Sequence, residues 1–378
     1  MKKILFVTTR NPYSGRFSGD VIGTLKIIDF LKKKYKIDVV SLGRQRLDKK
    51  NIQLFNQPNF ILKILYIFLS LLEFKPMQFG IFFSKAMKNY IEKNAKNYDL
   101  LFFYHIRSSQ YLPRNYSGKT IFEMGDLYSK NYYQTFCKLK FFNPLKYIYL
   151  LESYFVKKIE NKIFTNFDKI ILYSKNEIKK ISKKFRKKIF YINLSVDTIQ
   201  NKFRFSERNN RILFIGNLGY LPNLLAVKDF IFNIMPSIRR SIPDVEFCVI
   251  GNINNFDKFL LSFQKNTIFL GQQKYLKKYI KKSFCGLANL QIATGVQGKV
   301  LTYMSYGLPV ICSNKVSSNF GNNVINYINN NQLMNKILEL KNDKKFSNKF
   351  SKKSLKFIKE LSSNKVRLEY LKIVNLNK

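Results

Sequence analysis

The chain has one histidine and four cysteines, the latter set far apart at Cys137, Cys248, Cys285 and Cys312. A single histidine and no C-x-x-C spacing leave no His/Cys ligand set, so no metal site is expected. Cys248 and Cys312 lie in apolar, strand-like runs and read as small buried hydrophobes of a reducing compartment, not as disulfides. Carboxylates are scarce: 23 Asp plus Glu face 67 Lys plus Arg, a formal net charge of +44. No Gly-X-Y period, heptad or longer repeat occurs, which removes coiled coils and solenoids. The longest apolar stretch, Phe60 to Phe74, carries Lys63 and Glu73 and falls short of the roughly 20 residues a spanning helix needs. Met1-Lys2-Lys3 runs directly into Ile4-Leu5-Phe6-Val7, too short for a signal-peptide core. We therefore expect a first strand and a cytoplasmic protein, with peripheral attachment to the inner face of the cell membrane as a further option.

Apolar residues make up 46% of the chain, with 36 Phe and 23 Tyr, enough for folded cores and against global disorder. At 378 residues the chain suits two domains of roughly 150–200 residues each. The positive field attracts polyanions: anionic lipid, phosphorylated substrates or nucleic acid. Lys, Asn, Ile and Phe are abundant together, the pattern of A/T-rich codons, so composition alone accounts for part of the excess. No RNA-binding signature, zinc spacing or basic-region heptad accompanies the charge, and no specific nucleic-acid partner is expected. An anionic membrane surface ranks ahead of it.

Short apolar runs alternate with amphipathic segments. Ile4–Val7 reads as a buried strand, Thr8–Asp20 as a loop, Val21–Lys34 as a helix and Ile37–Leu42 as a second strand. This is the βαβ pattern of a parallel sheet with right-handed crossovers. A long, very apolar, basic helical region follows over 54–95; its helix at 60–74 suits either a membrane surface or a core or helix–helix contact. Further strands are expected at Leu100–Tyr104, Thr120–Phe122 and Lys169–Tyr173, and Ser174 with Glu177 has capping-box spacing. The polar stretch Ser206–Asn210 reads as a linker. Beyond it come Ile212–Ile215, a helix over 223–241, Val245–Ile250, Thr267–Leu270, a helix over 273–283, Gly286–Ala288, a helix over 296–306 and Val310–Cys312. The domains are thus 1–205 and 206–378, with the last helix a candidate to pack back on the first. Two doubly wound halves place a ligand cleft at the carboxyl ends of the strands.

Thr294-Gly295-Val296-Gln297-Gly298-Lys299 follows a short strand and opens a helix. Small residues let backbone approach a phosphate, the first-turn N–H groups and helix dipole favour an anion, and Lys299 adds a charge. A tight turn with a surface lysine would read the same way.

Gly216-Asn217, Tyr220-Leu221-Pro222-Asn223, Phe247 to Gly251, Phe269-Leu270-Gly271, and Gly295 through Leu301 to Gly307-Leu308-Pro309-Val310 resemble the donor half of glycosyltransferase family 4, with the GT-B fold. They are similar to its branch with a G-x-Q-x-K-x-L-E signature. The first half is similar more loosely, through Gly19-Asp20, His105-Ile106-Arg107 and the segment from Asp126 to Tyr132. The resemblance implies an α/β protein, GT-B, of two doubly wound Rossmann-like domains facing a central cleft. It implies retaining transfer of a sugar from a nucleoside diphosphate sugar, with no cofactor or tightly bound metal, to a glycan or lipid-linked acceptor in cell-surface polysaccharide assembly. Gly216, Asn217, Asn223, Thr294, Gly295, Val296, Gln297, Lys299 and Thr302 would bind the donor. Lys299, Asp126 and His105 would be catalytic, and Gly19, Asp20 and Arg107 would lie on the acceptor side. Family members commonly have glutamates where this chain has Thr294 and Thr302, and Lys228 or Lys299 must supply the charge for the pyrophosphate. His105 also suits a core position, and Asp126 a helix N-cap. A non-catalytic nucleotide-sugar scaffold and a charge-driven nucleic-acid binder are the alternative functions.

Overall fold

The computed structural model describes residues 1–15, 19–44, 51–197 and 203–376. Contacts divide the chain into two units, Met1–Asn193 with Val366–Lys378, and Leu194–Lys365.

The strands of unit 1 are β1 (Lys3–Val7), β2 (Lys36–Leu42), β3 (Ile52–Phe55), β4 (Leu100–Tyr104), β5 (Lys119–Gly125), β6 (Lys169–Leu172) and β7 (Ile189–Tyr191). Among the described residues they form one parallel sheet in the order β3-β2-β1-β4-β5-β6-β7. Ile4, Leu5, Phe6 and Val7 are fully buried, as expected where helices cover both faces of a parallel sheet. The Phe6 ring stacks on Phe102 at 5.0 Å, clamping β1 to β4. The strand order reverses at that junction, so the loops leaving β1 and β4 diverge and open a crevice at their carboxyl ends.

The helices of unit 1 are α1 (Gly19–Lys32), α2 (Phe60–Leu72), α3 (Met77–Ile81), α4 (Lys85–Asn94), α5 (Tyr128–Lys138), α6 (Pro144–Asn166) and α7 (Lys175–Ile178). The apolar region over 54–95 is therefore three helices. Its first break falls at Phe74, with φ at +52°, just before Pro76, and Ser84 caps α4 by accepting from Met87 N–H. In α2 only Ser70 is buried, while most of its apolar side chains point outward. Ser174 accepts from Glu177 N–H at 3.3 Å, and the Glu177 carboxylate accepts from Leu127 N–H at 3.0 Å.

The strands of unit 2 are β8 (Arg211–Ile215), β9 (Glu246–Ile250), β10 (Thr267–Phe269), β11 (Ser283–Ala288), β12 (Val310–Ser313) and β13 (Ile325–Tyr327). Among the described residues these also pair in parallel, in the order β10-β9-β8-β11-β12-β13. The order reverses between β8 and β11. The helices are α8 (Leu221–Asp229), α9 (Met235–Ser241), α10 (Asn255–Ser262), α11 (Lys277–Ile280), α12 (Gly298–Ser305), α13 (Asn314–Ser317), α14 (Asn330–Asn342) and α15 (Lys344–Glu360). The continuous helix expected over 223–241 is instead α8 and α9 joined by a π-helical turn at Phe230–Ile234. Pro236, in the first turn of α9, has no N–H for an i−4 bond, and the widened turn absorbs the mismatch. The helix expected over 273–283 shrinks to α11, and Ser283, its expected last residue, is drawn into β11 and fully buried there.

A final helix, α16 (Ser363–Val374), carries the chain back to unit 1 from Val366 onward. Its Tyr370 hydroxyl donates to Glu123 Oε1 at 2.6 Å, and the Tyr173 hydroxyl donates to the same oxygen. Burial pushes the Glu123 carboxyl up to about 7, against the lowering effect of these two donors.

Candidate functional site

Each unit gathers sequence-identified residues at the carboxyl ends of the strands flanking its switch point. In unit 2, β8 ends at Ile215, whose N–H donates to the Tyr303 hydroxyl at 2.6 Å. Tyr303 belongs to α12, and its ring lies so close to β11 that a Cβ on Gly286 would fall 2.5 Å from it. Helix and strand ends are thus locked together beneath the loop carrying Gly216. A Cβ on Gly251, the residue after β9, would sit 1.9 Å from the Gly216 carbonyl oxygen, at a φ of +148°. Two bare backbones touch here, and only glycine permits it.

Lys299 lies over this floor. Its Nζ donates to Asn223 Oδ1 at 2.7 Å and stands 4.0 Å from the centre of the Phe214 ring. The same Nζ is 3.0 Å from where a Gly216 Cβ would be. Asn223 is oriented in turn by donating from Nδ2 to the Asn217 carbonyl at 2.8 Å. Among the described residues no carboxylate pairs with the ammonium; burial pushes it down to about 7, against the raising effect of Cys312. Lys228, the other cation considered for a pyrophosphate, is occupied by Asp257 at 2.7 Å.

The segment entering α12 is held by its carbonyls. The Leu290 carbonyl accepts from Ser313 Oγ at 2.6 Å, that of Thr294 from Gln297 Nε2 at 2.9 Å, and that of Gly295 from Asn319 Nδ2 at 2.6 Å. Gly295 has φ at +60°, left-handed backbone that favours glycine. Gln297 occupies the N-cap position without its side chain capping the helix; Val296 precedes it, half-buried. Val300 N–H donates to the Gln297 carbonyl at 3.0 Å, and no side chain caps the N–H groups of Gly298 and Lys299 before it. Thr302 donates its hydroxyl proton to the Gly298 carbonyl at 3.1 Å, which leaves lone pairs facing outward.

In unit 1, Asp20 at the start of α1 is paired with Arg10 from the loop after β1. Gly19 has open space where a Cβ would be. His105, directly after β4, has φ at +70° and places its ring 4.7 Å from that of Tyr128. Its Nδ1 is buried without a partner. Burial, reinforced by Arg107 and Arg10, holds the imidazole well below its usual range, so it is neutral at pH 7. Arg107 donates from Nε to Gln78 Oε1 at 3.0 Å and lies 4.2 Å over the Phe82 ring. Gln78 is itself fixed by donating to Glu152 Oε2 at 3.3 Å and to the Tyr132 hydroxyl at 3.1 Å.

Asp126 follows β5, one residue before the N-cap position of α5, which is Leu127. It is therefore not the cap that its sequence position also allowed. Its Oδ1 is buried without a partner. Burial and then the nearby Glu177 push its carboxyl well up, toward the protonated acid at pH 7. Arg10, Asp20, His105, Arg107, Asp126 and Tyr128 sense one another electrostatically, so the acceptor-side and catalytic candidates of this unit form one cluster.

Several residues of these sites carry no local signal. Tyr303 and Phe214 look like core aromatics, and Gln78, Glu152 and Glu177 act across long stretches of chain. Asn289 is the exception. It is a polar residue at the end of a buried strand, with Nδ2 bonded to the Ala226 carbonyl at 2.8 Å and Oδ1 buried and unpartnered, a pattern visible in the sequence.

Residues 209–343 match the family described as Glycosyl transferases group 1. A Klebsiella pneumoniae protein described as an uncharacterized 44.6 kDa protein in the cps region is 24% identical over 273 residues, 68% of this chain and 66% of its own length. Among solved structures, HepE of Anabaena in complex with UDP and glucose superposes with a TM-score of 0.71 at 11% identity, covering 98% of this chain and 99% of that one. A mutant of S. aureus TarM with fondaparinux, alpha-GlcNAc-glycerol and UDP gives 0.67 at 11%, covering 99% and 100%. WaaG, a glycosyltransferase involved in lipopolysaccharide biosynthesis, gives 0.65 at 12%, covering 98% and 100%. The chain accordingly has the GT-B fold of two Rossmann-like domains, and residues 209–343 are the part that matches the glycosyl transferases group 1 family.

Proposed function

We propose that this protein is a glycosyltransferase that moves a sugar from a nucleoside diphosphate sugar to a glycan or lipid-linked acceptor in cell-surface polysaccharide assembly, with retention at the anomeric carbon. The observation that carries the reading is Lys299, held over Gly216 by Asn223 on a helix whose first turn lacks a side-chain cap. A desolvated ammonium beside a helix start that no side chain caps suits a diphosphate. The likeness to structures solved with UDP and UDP-glucose supports the same reading.

In this mechanism the leaving diphosphate is stabilised by Lys299 and the amides of Gly295, Val296 and Gln297, preorganised before the bond breaks. Diphosphate binding returns the proton that burial has loosened from Lys299. Gly216, Asn217 and Asn223 shape the floor beneath the donor, while Thr294 and Thr302 lie toward the nucleoside. In unit 1, neutral His105 and protonated Asp126 offer hydrogen bonds to sugar hydroxyls, and Arg107 with Gly19 and Asp20 receives the acceptor. No metal is given a role in these steps.

A second reading, a nucleotide-sugar binder without turnover, draws on Thr294 and Thr302 in place of carboxylates. Calorimetry with UDP and GDP beside a donor-turnover assay separates the two. Lys299→Ala is expected to lower turnover about 100-fold, as losing one preorganised group on developing charge does, and to weaken nucleotide binding. Unchanged turnover and affinity would refute the site. Tight wild-type binding with no turnover selects the second reading.

A further inference from the structure

Helix α2 covers Ser70 fully and Lys63, Tyr66, Ile67 and Leu71 in part, whereas Phe60, Ile61, Ile64, Leu65, Phe68 and Leu72 are exposed, Phe60 to 76%. This is not a detached helix. Asn59 caps its start, accepting from Leu62 N–H at 2.9 Å, and Lys75 N–H closes its end on the Ser70 carbonyl at 2.8 Å. It lies against α3 so closely that a Cβ on Gly80 would fall 2.4 Å from the Tyr66 and Ile67 backbone. The apolar face is presented on a rigid base.

The face continues. Phe74, just past α2, meets Phe155 of α6 edge-on at 6.2 Å, and α6 with the turn before it exposes Phe141, Phe142, Leu145, Ile148 and Leu151, Phe142 to 92%. Monomeric soluble surfaces do not expose large apolar side chains contiguously on this scale without a partner. The edge is basic: Lys158 lies over the rings of Phe74 and Tyr154 at 5.2 and 4.8 Å. Lys75, Lys88 and Lys162 surround Glu73, the carboxylate at the end of α2.

We propose that the joined outer faces of α2 and the N-terminal half of α6 form a docking surface for an anionic lipid bilayer. Spanning is excluded by length, since 13 residues reach only about 20 Å and no helix of the described residues is long and apolar enough to cross a membrane. A helix with bulky apolar side chains on one side and lysines at its margins lies in the plane of the interface, its apolar side sunk roughly 5–10 Å among headgroups and upper acyl chains. Lysines at the edge select acidic headgroups over neutral ones.

The test is flotation of the full chain with vesicles of phosphatidylglycerol and phosphatidylcholine, beside vesicles of phosphatidylcholine alone. Wild type is expected to float with the anionic vesicles, less as salt rises, and weakly with the neutral ones. Ile64→Glu/Phe68→Glu should lower anionic-vesicle binding about tenfold or more while leaving Tm and UDP affinity unchanged, because both side chains already face solvent. Lys158→Glu should lower it less and flatten the salt dependence. Failure of the wild type to float, equal flotation by the double variant, or equal binding to neutral vesicles overturns the proposal. So does sedimentation showing a lipid-free wild-type dimer that the double variant dissolves without any vesicle binding, since the face would then belong to a second copy.

Discussion

The two units share one plan and furnish it differently. Both reverse strand order beside a central strand, β1 or β8, and both place their candidate residues where the chain leaves that junction. Unit 2 fills the place with bare backbone, Gly216 against Gly251, and one ammonium. Unit 1 fills it with titratable side chains, of which burial pushes His105 toward the neutral form and Asp126 toward the protonated one. The first arrangement suits a ligand whose charge is fixed and whose shape is common to many donors. The second suits hydroxyl-rich ligands read by individual hydrogen bonds.

The glycines give the sharpest contrast. Gly251→Ala would drive a methyl into the Gly216 carbonyl, and should cost about 3 kcal/mol or more in a urea melt as well as nucleotide binding. Gly19→Ala meets open space and should stay within about 0.5 kcal/mol. If the two variants behave alike, the claim of a backbone-built floor in unit 2 fails. The next largest effect belongs to Asp126. Because burial pushes its carboxyl toward the protonated form, Asp126→Asn should retain turnover within about threefold, whereas Asp126→Ala should lose about 100-fold. A collapse of the Asn variant to the level of the Ala variant would mean that the acid works ionised.

Lys299 offers a subtler test. Its ordinary value is 10.5 and burial brings it to about 7, so the folded chain binds fewer protons than the unfolded chain between those values. Stability therefore rises with pH across that window, and the penalty is fully present below 7. Lys299→Met should raise Tm by a few degrees near pH 6, the scale of about 1 kcal/mol, while abolishing nucleotide binding. For the wild type, affinity for a nucleoside diphosphate sugar should fall about tenfold per pH unit above 7, as binding must then take up a proton. A flat profile from pH 6 to 9 would separate Lys299 from the diphosphate. The smallest effect is expected for Thr302→Glu, which adds charge where an uncharged acceptor stands and should keep nucleotide affinity or raise it a few-fold.

The parallel sheets were legible in the sequence because buried strands such as Ile4–Val7 and Ile212–Ile215 are short, apolar and bounded by loops. The glycine turns at Gly216 and Gly295 and the helix bearing Lys299 were equally plain, since turn, small residue and helix start are adjacent in the chain. Edge strands β3 and β13 were missed, being short and partly polar. The π-helical turn at Phe230 escaped because hydrophobic spacing reports a helix without its winding. Tyr303, Gln78, Glu152 and Glu177 could not be found locally, as each acts on a partner far along the chain. Periodicity also gave α2 a broad apolar face but could not say which way it turned, a choice made by the close approach of Gly80 to its backbone.

The return of the chain from Val366 onward has a consequence for biosynthesis. The first unit to leave the ribosome lacks a piece of itself until Val366 and the residues after it are made, when Tyr370 arrives to meet Glu123. Leu194–Lys365 must emerge meanwhile, and it has all its strands in hand before the earlier unit is finished. The part begun first is thus completed after the second, and a chain cut back to Lys365 would carry the whole of the second unit and a first one without Tyr370 at Glu123.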